Sequence, residues 1–253
     1  MNLFDIVRYV KLMFGLVTGR ARLTPKSDTA CVVVGMENSR KYGSCPGSLH
    51  DSNEMGRVLS KYGRTTLLQD RVATADAVRN AMTAAVQKDL AVFYYSGHGG
   101  RTGDSEFLCA YNGPVWDHQI WDIVSKAKGR VVLIFDCCHS GHMYRDAQVS
   151  DVDWPGIIHS DVEPLNNGFE FKMLRTMPIA AGEHDILVWS GCPKESYSYG
   201  DSSGGVFTNG LLKGLKKTVA TYDSVWSSGR SAASSQRPVR TVMGSGFNGL
   251  VFR

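Results

Sequence analysis

The sequence predicts an α/β domain built on a mainly parallel sheet with helices on both faces. Three observations carry that expectation. Short apolar runs rich in β-branched residues recur along the chain. Stretches with helical spacing separate most of them. Most runs are continuously apolar rather than alternating, as strands covered on both faces are. The runs are "TACVVVGM" (29–36), "RTTLLQ" (64–69), "LAVFYYS" (90–96), "RVVLIFD" (130–136) and "HDILVWS" (184–190), with "RPVRTVM" (237–243) as a last candidate. Helices are expected over 49–62, where Leu49, Met55, Val58 and Leu59 form the apolar side, and over 74–88, with Thr74 as its cap. Two more are expected over 117–127 and 206–219. In such sheets chemistry sits beyond the carboxyl ends of the strands. Residues 143–183 interrupt the rhythm with a long polar stretch, the mark of a functional or flexible loop.

A chain of 253 residues with a formal charge of +4 fits one domain with a sizeable core. It carries no lysine- or arginine-rich block, so a nucleic-acid partner is not expected. Six scattered cysteines do not form a disulfide framework, which points to a reducing, intracellular and cytoplasmic setting. The expected layout is an N-terminal helix and linker over 1–28, then one catalytic domain over 29–253. In the first segment Leu3, Ile6, Val10, Met13 and Val17 share helical spacing, broken by Asp5, Arg8 and Lys11. That reads as a short helix packed on the domain, with membrane contact as the alternative, and not as a signal peptide or span.

Two strand ends carry the chemistry-bearing residues. The third run leads into "SGHGG", placing His98 just past its end. The fourth leads into "DCCHSG", placing Cys138 in the matching position. If the strands are neighbours, imidazole and thiol converge, and a thiol beside a histidine loses its proton more readily. Backbone N–H groups of Gly99 and Cys138 could then face a developing oxyanion. Cys137 and Cys138 point to opposite sides of an extended strand, so spacing alone does not choose between them. A zinc site from Cys137, Cys138, His139 and His142 is disfavoured, because adjacent strand cysteines do not easily converge on one ion.

The pair "VFYYSGHGG" and "LIFDCCHSG" resembles the metacaspases, relatives of the caspases with the caspase-hemoglobinase fold. "GSLHDSNEM", "VWSGCPKESY", "GGVFTNGLLKGL" and "SQRPV" are similar to further segments of that family, so the likeness spans roughly 29–245. The resemblance implies a cysteine endopeptidase with His98 as base and Cys138 as nucleophile, working as a dyad. It implies that Asp51 and Asp136 line the pocket for the residue before the cut. Two carboxylates there favour arginine or lysine. Read without the family, Asp51 could cap a helix at 52–62 and Asp136 could be a strand-end turn residue. The resemblance also suggests calcium bound by Asp104, Asp117 and Asp146, although His118 replaces an expected aspartate. Self-cleavage is suggested at Lys172 or Arg175. The expected partners are protein or peptide substrates with basic residues, met by a monomer with no organic cofactor. The rival reading is a catalytically silent caspase-like module with a regulatory or scaffold role.

Overall fold

The computed structural model describes residues 28–102, 105–139, 185–191 and 200–252. The N-terminal segment, Asp104, Asp146, Lys172, Arg175 and the 143–183 stretch lie outside them. A sheet of eight strands forms the centre, in the order β12-β9-β8-β5-β1-β4. Its members are β1 (Thr29–Gly35), β4 (Arg64–Gln69), β5 (Leu90–Thr102), β8 (Arg130–His139), β9 (Ile186–Ser190) and β12 (Val239–Met243). All neighbours on this path are parallel except the edge pair β12–β9. Strands β6 (Ser105–Ala110) and β7 (Gly113–Trp116) extend the sheet by folding back antiparallel on the end of β5. Two-residue strands pair outside it as β2 (Asn38–Ser39) with β3 (Gly43–Ser44), and β10 (Gly200–Asp201) with β11 (Gly204–Gly205). This is the mixed, mostly parallel α/β architecture that the caspase-hemoglobinase resemblance implies.

Five α-helices cover the sheet among the described residues: α1 (Ser48–Leu59), α2 (Ala75–Ala85), α3 (Asp117–Val124), α4 (Val206–Leu215) and α5 (Tyr222–Ala232). Alternation along the strands divides the core in two. Val32, Val34, Phe93, Tyr95, Leu133, Phe135 and Cys137 pack with α2 and α3 through Val78, Met82, Ile120 and Trp121. Cys31, Val33, Val92, Tyr94, Ile134 and Trp189 pack with α1, α4 and α5 through Met55, Leu59, Phe207, Leu211 and Tyr222. Burying one such large side chain contributes about 1.5–3 kcal/mol.

Local chemistry sets the helix starts. Thr74 caps α2, its hydroxyl accepting the Ala77 N–H at 3.2 Å, as its position in the sequence suggests. Helix α1 begins at Gly47, whose φ of 93° suits glycine. A Cβ there would lie 2.2 Å from the Asp201 carbonyl oxygen. No side chain at that cap accepts a bond; instead Glu37 reaches across, and its Oε2 accepts from Gly47 N and Leu49 N at 3.1 and 3.3 Å.

Three expectations need correcting. Strands β5 and β8 do not stop at residues 96 and 136. They run on to Thr102 and His139, because they keep pairing with each other and β6 adds a partner for Gly99–Thr102. His98 and Cys138 are therefore strand residues, not residues past the strand ends. Helix α1 starts at Ser48, so Asp51 lies inside its first turn and does not cap a helix from 52. Asp136 likewise lies within β8 and not in a turn.

Candidate active site

The register of β5 and β8 assembles the site. Ser96 stands opposite Asp136, Gly97 opposite Cys137, and His98 opposite Cys138. Neighbouring strands lie about 4.8 Å apart, so the backbones of His98 and Cys138 are adjacent. The Tyr95 hydroxyl braces the histidine segment from below. It lies 2.6 Å from the His98 carbonyl oxygen and 3.0 Å from that of Cys109, and shares its one proton between them. Gly97 permits this closeness: a Cβ there would sit 2.6 Å from the same hydroxyl.

The imidazole of His98 is oriented by a backbone group. Its Nε2 lies 2.9 Å from the Ser44 carbonyl oxygen. A carbonyl only accepts, so Nε2 carries the hydrogen and Nδ1 is left with its lone pair. Nδ1 is buried and has no hydrogen-bond partner among the described residues. Burial lowers the ring's pKa from 6.5, against the opposing pull of the Ser44 carbonyl. Burial thus favours the neutral ring, with Nδ1 as its basic nitrogen.

Two residues earlier, Asp136 on β8 stands opposite Ser96 on β5, and Ser96 holds Asp51 of α1, so that two acids meet behind the dyad. Asp51 and Asp136 are both nearly inaccessible, at 2% and 4% exposure. The Ser96 hydroxyl donates to Asp51 Oδ2 at 2.9 Å, and Gly205 N lies 3.0 Å from both Asp51 oxygens. Thr208 donates to Asp136 Oδ2 twice, from its N–H at 3.0 Å and from its hydroxyl at 2.6 Å. Both acids thus meet the amino end of α4, where the helix dipole favours negative charge. Gly205 is wedged between them, since a Cβ there would lie 2.3 Å from Asp136 Oδ2 and 3.2 Å from Asp51 Oδ2. Burial, and then the neighbouring Asp136, raise the Asp51 pKa from 3.8 to about 7, outweighing its hydrogen bonds.

Gly99 lies in β5 between two partners, in register with Leu108 on β6 and His139 on β8. Cys137 is buried with the α2–α3 side of the core at 3% exposure. Asp117 is buried in the first turn of α3, and its Oδ1 accepts the His118 N–H at 2.7 Å. Among the described residues no three His, Cys, Asp or Glu side chains gather closely enough to hold a metal. Asp104 and Asp146 lie outside that set. Sequence reasoning missed Ser44, Ser96, Gly205 and Thr208. Ser96 and Thr208 stand inside the quoted motifs "YYSGHGG" and "GGVFTNG", so a question about what holds each acid could have found them. The Ser44 carbonyl left no signal.

The family model of the caspase domain matches residues 28–237. The chain belongs to the caspase-domain family of cysteine peptidases. The crystal structure of protein GSU0716 from Geobacter sulfurreducens is similar in fold, with a TM-score of 0.69 at 21% identity. That match covers 89% of this chain and 98% of the other. No curated protein matches the chain. No helix among the described residues is long and apolar enough to cross a membrane.

Proposed function

We propose that this caspase-like chain is a metacaspase-type endopeptidase that cuts peptide bonds after Arg or Lys through a Cys138–His98 dyad. The observation that carries this reading is the register of His98 with Cys138, with buried Asp136 two positions behind and Asp51 of α1 beside it. The Cys138 thiol gives its proton to His98 Nδ1, the ring nitrogen that no described group engages, and its sulfur bonds to the peptide carbonyl carbon. The carbonyl oxygen takes up the negative charge, facing the N–H group of Cys138; Gly99, in register with a partner strand on each side, is given no part in this step. As the tetrahedral species collapses, the C–N bond breaks and His98 protonates the departing amine. Water then attacks the thioester, giving its proton to Nδ1, and the acid product leaves as the thiol is restored. The Ser44 carbonyl holds the ring's tautomer throughout, so a backbone oxygen does the orienting work that a third side chain does elsewhere.

Asp51 and Asp136 supply the preference for a cation. A guanidinium bridging them would offset the repulsion between two crowded carboxylates. The same preference makes Lys172 and Arg175 candidates for self-cleavage. Calcium, held by Asp104, Asp117 and Asp146, would act as an activator apart from these chemical steps.

The test is hydrolysis of fluorogenic peptides with Arg, Lys or Asp before the cut, with and without calcium. Arginyl and lysyl peptides should be cut, Cys138→Ala should abolish turnover, and Cys137→Ala should retain it. Cleavage of the aspartyl peptide alone overturns the pocket assignment. Failure to cut any peptide favours the silent regulatory module.

A further inference from the structure

Residues 1–27 lie outside the described residues, but their composition sets them apart. Twelve of the first 17, "MNLFDIVRYVKLMFGLV", are apolar, and the basic run "TGRARLTPK" follows. Five cations, Arg8, Lys11, Arg20, Arg22 and Lys26, stand there against one acid, Asp5. Of the chain's 28 basic and 24 acidic residues this leaves 23 of each sign, so the whole formal charge of +4 belongs to these 27 residues. Twelve apolar side chains gain by leaving water. The described domain shows no face to match them. Its exposed large apolar residues are Leu67, Val72, Val206 and Val242, spread over β4, the turn after it, α4 and β12.

The fold says where this segment joins. Thr29 opens β1 and is in register with Leu90 of β5, which is in register with Arg130 of β8. The segment therefore enters at the amino ends of the parallel strands. His98 and Cys138 lie eight residues beyond Leu90 and Arg130, about 26 Å away at the rise of a strand. The entry end is itself cationic. Arg64 opens β4 beside Ala30, and Lys61 lies just before Gly63, where a Cβ would meet the Thr29 carbonyl oxygen at 2.2 Å. Lys128 N donates to the Val86 carbonyl oxygen at the end of α2, with Lys126 two residues before it. These four cations are exposed and have no ion-pair partner among the described residues. The acids beside these strand starts are engaged within the domain: Asp28 with Lys88, Asp89 with the Asp28 N–H, and Asp185 with the Ser245 N–H.

We propose that the amino end of the domain docks on an anionic lipid bilayer. The apolar side chains of residues 1–17 enter the headgroup boundary, and Lys61, Arg64, Lys126 and Lys128 join the basic run 20–26 against the lipid headgroups. Apolar insertion and a basic patch reinforce each other at such a surface. A soluble anion would satisfy the cations but leave the apolar residues in water. The dyad, at the opposite end of the strands, stays open to substrates in solution.

The test is sedimentation of the full chain with vesicles of phosphatidylcholine, alone or with about 30% phosphatidylserine. The chain should pellet with the anionic vesicles, only weakly with the neutral ones, and less as salt is raised. Val10→Asp/Met13→Asp should abolish pelleting and leave the urea midpoint of the domain unchanged. Lys61→Gln/Arg64→Gln/Lys126→Gln/Lys128→Gln should weaken binding about tenfold or more, whereas Arg40→Gln at the catalytic end should not. The proposal is overturned if the anionic vesicles pellet no more protein than the neutral ones, or if the quadruple variant binds as wild type does. Two other occupants would overturn it as well. A lower urea midpoint in Val10→Asp/Met13→Asp, without pelleting of wild type, would mean that the segment packs on the domain. A vesicle-free dimer that this variant dissociates, again without pelleting, would mean that it meets a second copy. Cys138→Ala should pellet as wild type does, so binding is read without turnover and its failure leaves the peptidase reading untouched.

Discussion

Asp51 gives a stability prediction that does not depend on activity. Its carboxyl is buried beside Asp136 and titrates at about 7 in the folded chain against an ordinary 3.8. The folded state therefore holds this proton more tightly than the unfolded chain does. Stability from this group is full below about pH 4, is lost as the pH climbs, and stays lost above about pH 7. Roughly three pKa units correspond to about 4 kcal/mol. Asp51→Asn removes the titration while keeping an oxygen to accept the Gly205 N–H. Urea unfolding of Cys138→Ala, with and without Asp51→Asn, at steps from pH 4 to 8 isolates the effect. The stability of the parent minus that of the Asn variant should fall by on the order of 4 kcal/mol across that range. A difference that stays flat, or rises with pH, would refute the claim that burial and Asp136 crowd this carboxylate.

The same titration should appear in catalysis. Arginyl-peptide kcat/KM should climb through about pH 7 as Asp51 ionises, and in Asp51→Asn the climb should shift to below 6.5, where the buried His98 titrates. Thr208→Val removes a donor to Asp136 and strips Tyr94 Oη of its 2.6 Å partner. It should cost about 1–3 kcal/mol by chemical denaturation, as buried groups left unpaired do. Gly47→Ala should lower stability by about 1–3 kcal/mol, given its positive φ and the Asp201 carbonyl in the way. Chemical denaturation of Gly47→Ala tests this, and an unchanged midpoint would mean that the α1 entry can relax.

The parallel core was legible because its strands are buried on both faces and so read as unbroken apolar runs. What the sequence hid has specific causes. Helix α5 carries Tyr222, Val225 and Gly229 on its buried side, but four serines dilute the pattern, and its capping box closes through Ser224 rather than an acid. The extension of β5 beyond Ser96 passes through Gly97, Gly99 and Gly100, which depress strand propensity; it exists because β6 pairs back onto it. His98, Cys138, Asp51 and Asp136 could be proposed from the sequence because each sits in a recognisable motif. The Ser44 carbonyl could not be found that way, because a main-chain oxygen 54 positions away has the same identity in every sequence.

One ladder holds the proposed dyad and one of the two buried acids. Ser96 faces Asp136 on one rung, and His98 faces Cys138 two residues further on. The offset between them is set by the rise of a β-strand, about 6.6 Å for two residues, and not by any loop. Under the proposed function, substitutions at 51 and 136 would change the charge behind the dyad while the backbones of His98 and Cys138 keep their register. If the proposed roles hold, taste for a substrate can drift in such a scaffold while the cutting tool stays put.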